Sequence, residues 1–160
     1  MNQSGLSEGG DSRRDRRKMD SHTHMYTRGV KADVVTLFQA LGDRTRLRLL
    51  HLMTGGEICV CYFVEVLGET QPKVSRHLAY LRRAGIVTSR RDGKWIHYRI
   101  VRPDDPHQAR VLDCALDTVA HDRQMIRDRS ALERACCAPR VPAPLQNAPK
   151  PEFARARTNG

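Results

Sequence analysis

Apolar residues recur at three- and four-residue steps through the first half of the chain, a pattern that predicts consecutive amphipathic helices. The first helix is marked by the apolar series Val30, Val34, Leu37, Phe38 and Leu41. Gly42 ends it, and Asp43 is placed to cap a second helix from Arg44 to about Thr54. After Gly55-Gly56, a third helix is predicted from about Ile58 to Leu67.

A fourth helix follows a short turn and carries basic residues on its polar face. It is predicted to run from Gln71 to Ala84, with Pro72 in the first turn, where a missing N–H costs nothing. Residues 86–90 and 95–100 are predicted to form two strands, and Asp92-Gly93 between them is a strong hairpin signal. A two-stranded hairpin is marginal alone, so we expect it to pack on the helices as a wing. The predicted fold is therefore mainly α with a small β-hairpin: a winged helix-turn-helix.

The rest of the chain divides into one long helix and two tails. A helix is predicted from about His107 to Arg134, and its apolar face has little domain left to cover it, so we expect dimerisation through the terminal helices. Residues 1–28, polar with a basic cluster, and 136–160, rich in proline and beginning with a cysteine pair, are both predicted to be disordered. Residues 29–135 form the predicted DNA-binding and dimerisation domain.

Charge is concentrated in the predicted helix-turn-helix and wing. The chain has a formal net charge of +10, and residues 71–99 contain eight Lys or Arg and one acidic residue. Such a patch is typical of a surface that binds nucleic acid, although a solvated face is the alternative. The candidate DNA-contacting residues are Gln71, Lys73, Ser75, Arg76 and His77 at the start of the fourth helix and Arg90, Arg91 and Lys94 at the wing.

Cysteine usage limits the compartment and the chemistry. There are five cysteines, with no signal-like segment and no apolar run long enough for a membrane span, so we expect a reduced cytoplasmic protein. A thiol enzyme is disfavoured because the chain lacks Cys-x-x-Cys and a Gly-rich loop that would cradle an oxyanion.

Cys59 and Cys61 form the most informative motif. Two thiols one residue apart are suited to a soft, thiophilic ion, whereas single buried cysteines are more often small hydrophobic residues. Residues two apart in an intact helix project about 200° from each other. We therefore expect that one ion can bind both sulfurs only if the first turn of the third helix opens, which would tilt the neighbouring DNA-reading helix.

The motif Glu57-Ile58-Cys59-Val60-Cys61, the helix 71–78 and the wing sequence 93–99 occur in an order that resembles the ArsR (ArsR/SmtB) winged-helix metalloregulators, most closely their arsenic-sensing branch. The resemblance covers about residues 30–135. It implies a homodimeric repressor that binds an inverted-repeat operator, requires no cofactor and leaves DNA when As(III), Sb(III) or methylarsenite binds to thiolates. Adjacent cysteines serve as ligands in some relatives, so the implied site is Cys59, Cys61, Cys136 and Cys137, with Cys114 an alternative source of the third sulfur. Sensing of Zn or Cd, or of thiol oxidation, is the alternative function.

Overall fold

The computed structural model describes residues 33–137 and 141–156, with the side chains of Cys137, Arg155 and Ala156 excepted. The helices are α1 (Val34–Leu41), α2 (Arg44–Met53), α3 (Val60–Leu67), α4 (Gln71–Arg83), α5 (Pro106–Ala120), α6 (Arg123–Cys137) and α7 (Glu152–Ala156). The strands are β1 (Ile58–Cys59), β2 (Val87–Asp92) and β3 (Trp95–Ile100), and a short 3₁₀ helix spans Ala143–Leu145. No helix in the described part of the chain is both long and apolar enough to cross a membrane.

The predicted winged helix-turn-helix is confirmed, and its elements surround one apolar core. Leu50 of α2, Phe63 of α3, Leu78 of α4 and Leu112 of α5 are all fully buried. Burying one such side chain stabilises the fold by roughly 1.5–3 kcal/mol. The predicted cap of α2 also forms, since the Asp43 side chain accepts from the backbone N–H of Arg46, and Gly68 ends α3. The core thus fixes α3 and α4 against each other.

The sheet has three antiparallel strands in the order β1-β3-β2, rather than the two strands of the predicted hairpin. The third helix was expected to begin at Ile58, but Ile58 and Cys59 are extended and pair with Tyr98 and His97 of β3. A hairpin leaves a free edge on β3, and β1 satisfies the backbone groups of that edge while burying the Ile58 side chain. The helix therefore starts two residues later than predicted.

The prediction of a single long helix over residues 107–134 is wrong, because the helix is interrupted at His121-Asp122. The Asp122 carboxylate accepts hydrogen bonds from the backbone N–H groups of Gln124 and Met125, at 2.7 and 3.3 Å, which caps a new helix. The break lets α6 fold back onto α2 and α3. There Arg48 donates two hydrogen bonds to the buried carboxylate of Asp128, at 2.6 and 2.9 Å.

The described part of the C-terminal tail also differs from expectation, since it packs against the domain. Leu145 and Ala154 are buried, and the Phe153 ring lies 5.7 Å from the Arg129 guanidinium. Gly56 permits a close approach, because a Cβ built on it would lie 2.6 Å from an Oε2 of Glu152. Proline content excludes long helices but still allows these short ones. The predicted tail of residues 1–28 lies outside the described residues.

Candidate functional site

The two thiols of the Cys-x-Cys motif lie side by side at the junction of β1 and α3. Cys59 is the last residue of β1 and precedes the first residue of α3, with an extended backbone (φ −70°, ψ 142°). Cys61 lies in the first turn of α3, and its thiol donates a hydrogen bond to the Cys59 sulfur at 2.9 Å. Because Cys59 is extended rather than helical, the angular argument for an intact helix does not apply to this pair. The expectation that α3 must unwind before one ion can reach both sulfurs is therefore wrong.

The two sulfurs lie close enough together to share one soft ion. Bonds of about 2.3 Å from a soft ion to thiolate sulfur allow two sulfurs up to roughly 4.6 Å apart to bind the same ion. The distance of 2.9 Å falls inside that limit. Cys59 is 1% exposed, and Cys61 is half-buried and gives the pair its contact with solvent. An ion in solvent can therefore reach the pair at Cys61.

The proton of this pair is held unequally. The hydrogen bond from Cys61 lowers the pKa of Cys59 to about 7, against the opposing effect of burial, and backbone groups including that of Ile96 lower it further. The same hydrogen bond, together with burial, raises the pKa of Cys61. Cys59 is thus the thiolate of the pair near neutral pH, and thiolate is the form that binds metals and attacks electrophiles.

The other cysteines do not join this pair in the described structure. Cys136 is buried at the end of α6, where its thiol donates to the carbonyl of Glu133 at 3.5 Å. Cys114 is exposed on α5. Within residues 33–137 and 141–156, no three His, Cys, Asp or Glu side chains lie close enough together to hold a metal. The Cys137 side chain is outside the described atoms, so the structure assembles two of the four predicted sulfur ligands, Cys59 and Cys61.

Helix α4 presents the predicted DNA-contacting residues on its outer face. Val74 and Leu78 are buried against the core, which turns Gln71 and Arg76 outward, where both are exposed. Ser75 is half-buried. An exposed Arg near the start of such a helix has the reach and the donors needed to read a guanine edge in the major groove.

Two other candidates on α4 also have partners within the chain. The Lys73 ammonium lies 2.7 Å from the Glu69 carboxylate. The Nδ1 atom of His77 is 3.5 Å from the carboxylate of Asp43, the residue that caps α2. Lys73 is nearly half exposed and remains available to a phosphate, whereas the His77 contact supports the structural alternative for this residue.

The wing places three predicted cations near its tip. Gly93 takes a positive φ of 58° in the turn between β2 and β3, as a tight hairpin requires. Arg91 donates to the Gly93 carbonyl at 2.9 Å, and the Lys94 ammonium lies 4.8 Å from the centre of the Trp95 ring. Both Arg91 and Lys94 are exposed, so they can also reach a DNA backbone.

Arg90 differs from its neighbours, because two carboxylates bind it inside the chain. Its guanidinium donates to Glu57 through Nε at 3.0 Å and Nη2 at 2.6 Å, and to Asp92 through Nη1 at 3.2 Å. Glu57 also approaches Nδ1 of His97 at 3.4 Å. Sequence reasoning did not assign a role to Glu57 or His97, and the only available signal was that Glu57 lies two residues before Cys59. Their meeting depends on the strand register, which composition does not reveal.

Comparisons with known proteins agree with this architecture. Residues 43–89 match the family described as "Bacterial regulatory protein, arsR family". The arsenical resistance operon repressor of Escherichia coli is 42% identical over 80 residues, which cover 49% of this chain and 68% of the relative. The arsenic resistance transcriptional regulator ArsR1 of Pseudomonas putida is 38% identical over 110 residues, covering 68% of this chain and 83% of the relative. The crystal structure of the antimony-specific transcriptional repressor AntR is 39% identical, with a TM-score of 0.45, and the match covers 57% of this chain and 80% of that one.

Proposed function

Since the chain belongs to the ArsR family of bacterial transcriptional regulators, we propose that it is a repressor that As(III) releases from its operator by binding Cys59 and Cys61. The observation that carries this proposal is the pair of sulfurs 2.9 Å apart, one of them a thiolate near neutral pH. The names of the two relatives connect similar chains with arsenic resistance. The proposal places the protein in the cytoplasm, where thiols stay reduced.

The chemistry of arsenite fits two adjacent thiols. In neutral water arsenite is As(OH)₃, and condensation with the Cys61 thiol and the Cys59 thiolate forms two As–S bonds and releases one water molecule and one hydroxide, which a solvent proton converts to a second water. One hydroxyl then remains on arsenic for exchange with a third sulfur. Cys136, Cys137 and Cys114 are the candidates for that third ligand within the chain, and Sb(III) and methylarsenite react by the same route. Methylarsenite carries a methyl group in place of one hydroxyl and needs only the two sulfurs.

The DNA-binding half of the proposal rests on α4 and the wing. We propose that Arg76 and Gln71 contact base edges, while Lys73, Ser75, Arg91 and Lys94 contact phosphates. Arg90 has ion-pair partners within the chain and His77 contacts the Asp43 carboxylate, so we assign these two candidates a weaker part in DNA contact. These are the residues to be tested one by one.

We also propose that the repressor is a homodimer on an inverted repeat. Three large apolar side chains of α1 are more than half exposed: Val34 at 51%, Val35 at 59% and Phe38 at 57%. Such a cluster on one short helix is a typical dimer contact, and α1 lies against α5. Two protomers per operator duplex is the expected stoichiometry in sedimentation.

The decisive experiment is a gel shift on the gene's own upstream region, with arsenite, antimonite, zinc, cadmium and peroxide titrated separately. Arsenite is expected to release the wild-type protein, and the Cys59→Ser, Cys61→Ser double variant is expected to stay bound at every arsenite concentration. Cys114→Ser is the matched control with methylarsenite as the inducer, because methylarsenite needs only two sulfurs and Cys114, exposed on α5, is a candidate only for the third. If the double variant still leaves DNA on arsenite, the two thiols are not the sensor.

Thiol oxidation is the second candidate function, and the same sulfur contact favours it. Peroxide would oxidise the Cys59 thiolate to a sulfenic acid with release of hydroxide, and the Cys61 thiol would then displace water to form a disulfide. Release by peroxide that is reversed by dithiothreitol, in the absence of any arsenite effect, would select this function over metalloid sensing.

A further inference from the structure

Three residues from three strands lie in one line across the sheet. Cys59 of β1 is directly opposite His97 of β3, and His97 is directly opposite Arg90 of β2. Residues directly opposite in antiparallel strands project from the same face. The inducer-site thiol and the wing arginine therefore share one face of the sheet, with a 2%-exposed histidine between them.

Glu57 joins the two ends of this line. It lies two residues before Cys59, and its carboxylate holds the Arg90 guanidinium by a two-bond fork, at 2.6 and 3.0 Å. Its 3.4 Å approach to the His97 ring adds a contact with the middle strand. The Glu57 and Arg90 side chains are only 18% and 30% exposed, so water competes less for this pair than for one on the surface.

We propose that Glu57 is a positioning residue that couples the thiol site to the wing, so that an ion bound at Cys59 displaces the wing through the Glu57–Arg90 ion pair. This proposal rests on the proposed function, because it assumes that the inducer binds Cys59 and Cys61. The coupling proposal adds a mechanism to that function. The sheet, rather than unwinding of α3, connects the bound ligand to the DNA-binding surface.

Geometry supplies the reason for movement. Two sulfurs bonded to one ion at about 2.3 Å, with an angle between about 90° and 110°, lie roughly 3.3–3.8 Å apart. An ion bound to both sulfurs replaces the thiol hydrogen bond that joins them in the structure and holds them at that separation, so one sulfur shifts relative to the other. Cys61 is held in α3, whereas Cys59 belongs to a two-residue edge strand, which is the element with less to resist the displacement. Glu57 lies on the same short segment and therefore moves with Cys59. The two hydrogen bonds between its carboxylate and Arg90 then move the Arg90 side chain.

The alternative role for Glu57 is to stabilise the fold through an ion pair, without transmitting anything. The two roles differ in one respect that can be measured. A stabilising pair affects the folded state equally with and without arsenite, whereas a coupling pair changes the effect of arsenite on operator affinity.

The test uses Trp95, the only tryptophan in the chain, as a reporter at the start of β3 in the wing. Arsenite bound per protomer is measured by equilibrium dialysis with elemental analysis, Trp95 fluorescence reports the wing, and operator Kd is measured with and without arsenite. The variant is Glu57→Gln, and the matched control is Glu65→Gln, which removes the same charge from an exposed position on α3.

For the wild type and Glu65→Gln, arsenite is expected to change the fluorescence and to raise operator Kd by the roughly 5- to 150-fold typical of allosteric coupling. For Glu57→Gln we expect unchanged arsenic stoichiometry, no fluorescence response and a ratio of the two Kd values below about threefold. Because the ratio is taken within one variant, any change in basal affinity cancels. The proposal would be overturned if Glu57→Gln binds arsenite and still shows the wild-type ratio of operator Kd with arsenite to operator Kd without it.

A charge exchange keeps the test valid if one variant folds poorly. Glu57→Arg and Arg90→Glu are each expected to lose the arsenite response, and the double variant is expected to regain at least part of it, because the ion pair is restored with reversed polarity. Single variants that respond normally would reject the coupling role. The Cys59→Ser, Cys61→Ser variant distinguishes failure of the proposed function from failure of the coupling. If this variant still responds to arsenite, the proposed function is wrong. If it does not respond but the Glu57 variants respond normally, only the coupling role is rejected.

Discussion

Helix α4 and the three-stranded sheet both carry basic residues, but they use them in opposite ways. On α4, Arg76 and Gln71 face solvent, and the buried apolar side chains of the helix pack it against the core. In the sheet, the polar groups near the thiols point toward one another, so that Glu57 binds Arg90 and approaches the buried His97.

This difference separates two tasks. Side chains that face solvent contribute little to folding and are free to bind a partner. Side chains paired in a partly buried cluster cannot leave their partners cheaply, so a displacement of one displaces the others. Under the two proposals above, the helix serves recognition of DNA and the sheet serves coupling to the thiol pair. Operator binding and inducer binding should therefore respond differently to the same perturbation.

Salt is the perturbation expected to separate them most. If a dimer neutralises about 6–8 phosphates, log operator affinity falls against log salt with a slope of about −5 to −7, a loss of about 10³- to 10⁴-fold between 50 and 200 mM. Arsenite binding to the thiol pair forms covalent As–S bonds and should be nearly independent of salt. Fluorescence anisotropy of labelled operator and equilibrium dialysis of arsenite, in the same buffers, measure both. An operator affinity that is almost independent of salt would contradict the assignment of the basic surface.

The recognition helix was predictable because local signals determine it. Pro72 in the first turn, Val74 and Leu78 on the inner face, and the glycine after the helix all act within a few residues. The hairpin turn at Asp92-Gly93 is equally local. Adjacent thiols could also be recognised from spacing, since the motif is contiguous in the chain.

The cluster of Glu57, Arg90 and His97 was not predictable, because its contacts connect residues that are distant in the sequence. Glu57 meets Arg90 only because β1 pairs with β3 in one particular register, and a register is set by the folded sheet rather than by composition. The break before α6 had a local signal in Asp122, but the apolar period continued past it and favoured one helix. After the break, the distant pair of Arg48 with Asp128 joins α6 to α2. Long-range ion pairs were thus the information that the pattern lacked.

Replacing Arg76 sharpens the comparison within the basic set. Arg76→Ala removes an exposed side chain proposed to contact a base, so we expect a loss of about 1–3 kcal/mol per contact and relaxed preference at that base pair. Arg90→Ala should reduce operator affinity less, because Arg90 is already bound by Glu57 and Asp92. The measurement is the operator Kd of each variant, on the natural operator and on duplexes with single base-pair substitutions. It shows which variant loses more affinity and whether the base preference is relaxed.

The matched control for these two variants is Arg102→Ala, since Arg102 is 71% exposed and lies 2.9 Å from the Asp113 carboxylate on α5. It removes the same charge away from the proposed DNA surface and should leave the base preference intact. A larger loss of affinity for Arg90→Ala than for Arg76→Ala would reverse the proposed division between helix and sheet.

The smallest effect is expected from pH, acting on the thiol pair alone. The pKa of Cys59 is lowered from 9.0 to about 7 in the folded protein, so between these values the unfolded chain holds one proton more, and stability rises with pH. The pKa of Cys61 is raised from 9.0, so above about pH 9 the folded protein holds the extra proton, and stability falls. The pair should therefore contribute most near pH 9, on the order of 1 kcal/mol.

The measurement is the free energy of unfolding in denaturant, under reducing conditions from pH 6.5 to 10, for the wild type minus the Cys59→Ser, Cys61→Ser variant. A difference curve without a maximum would mean that the two thiols titrate independently in the folded protein, and the sulfur contact at the inner end of the proposed path would then be absent.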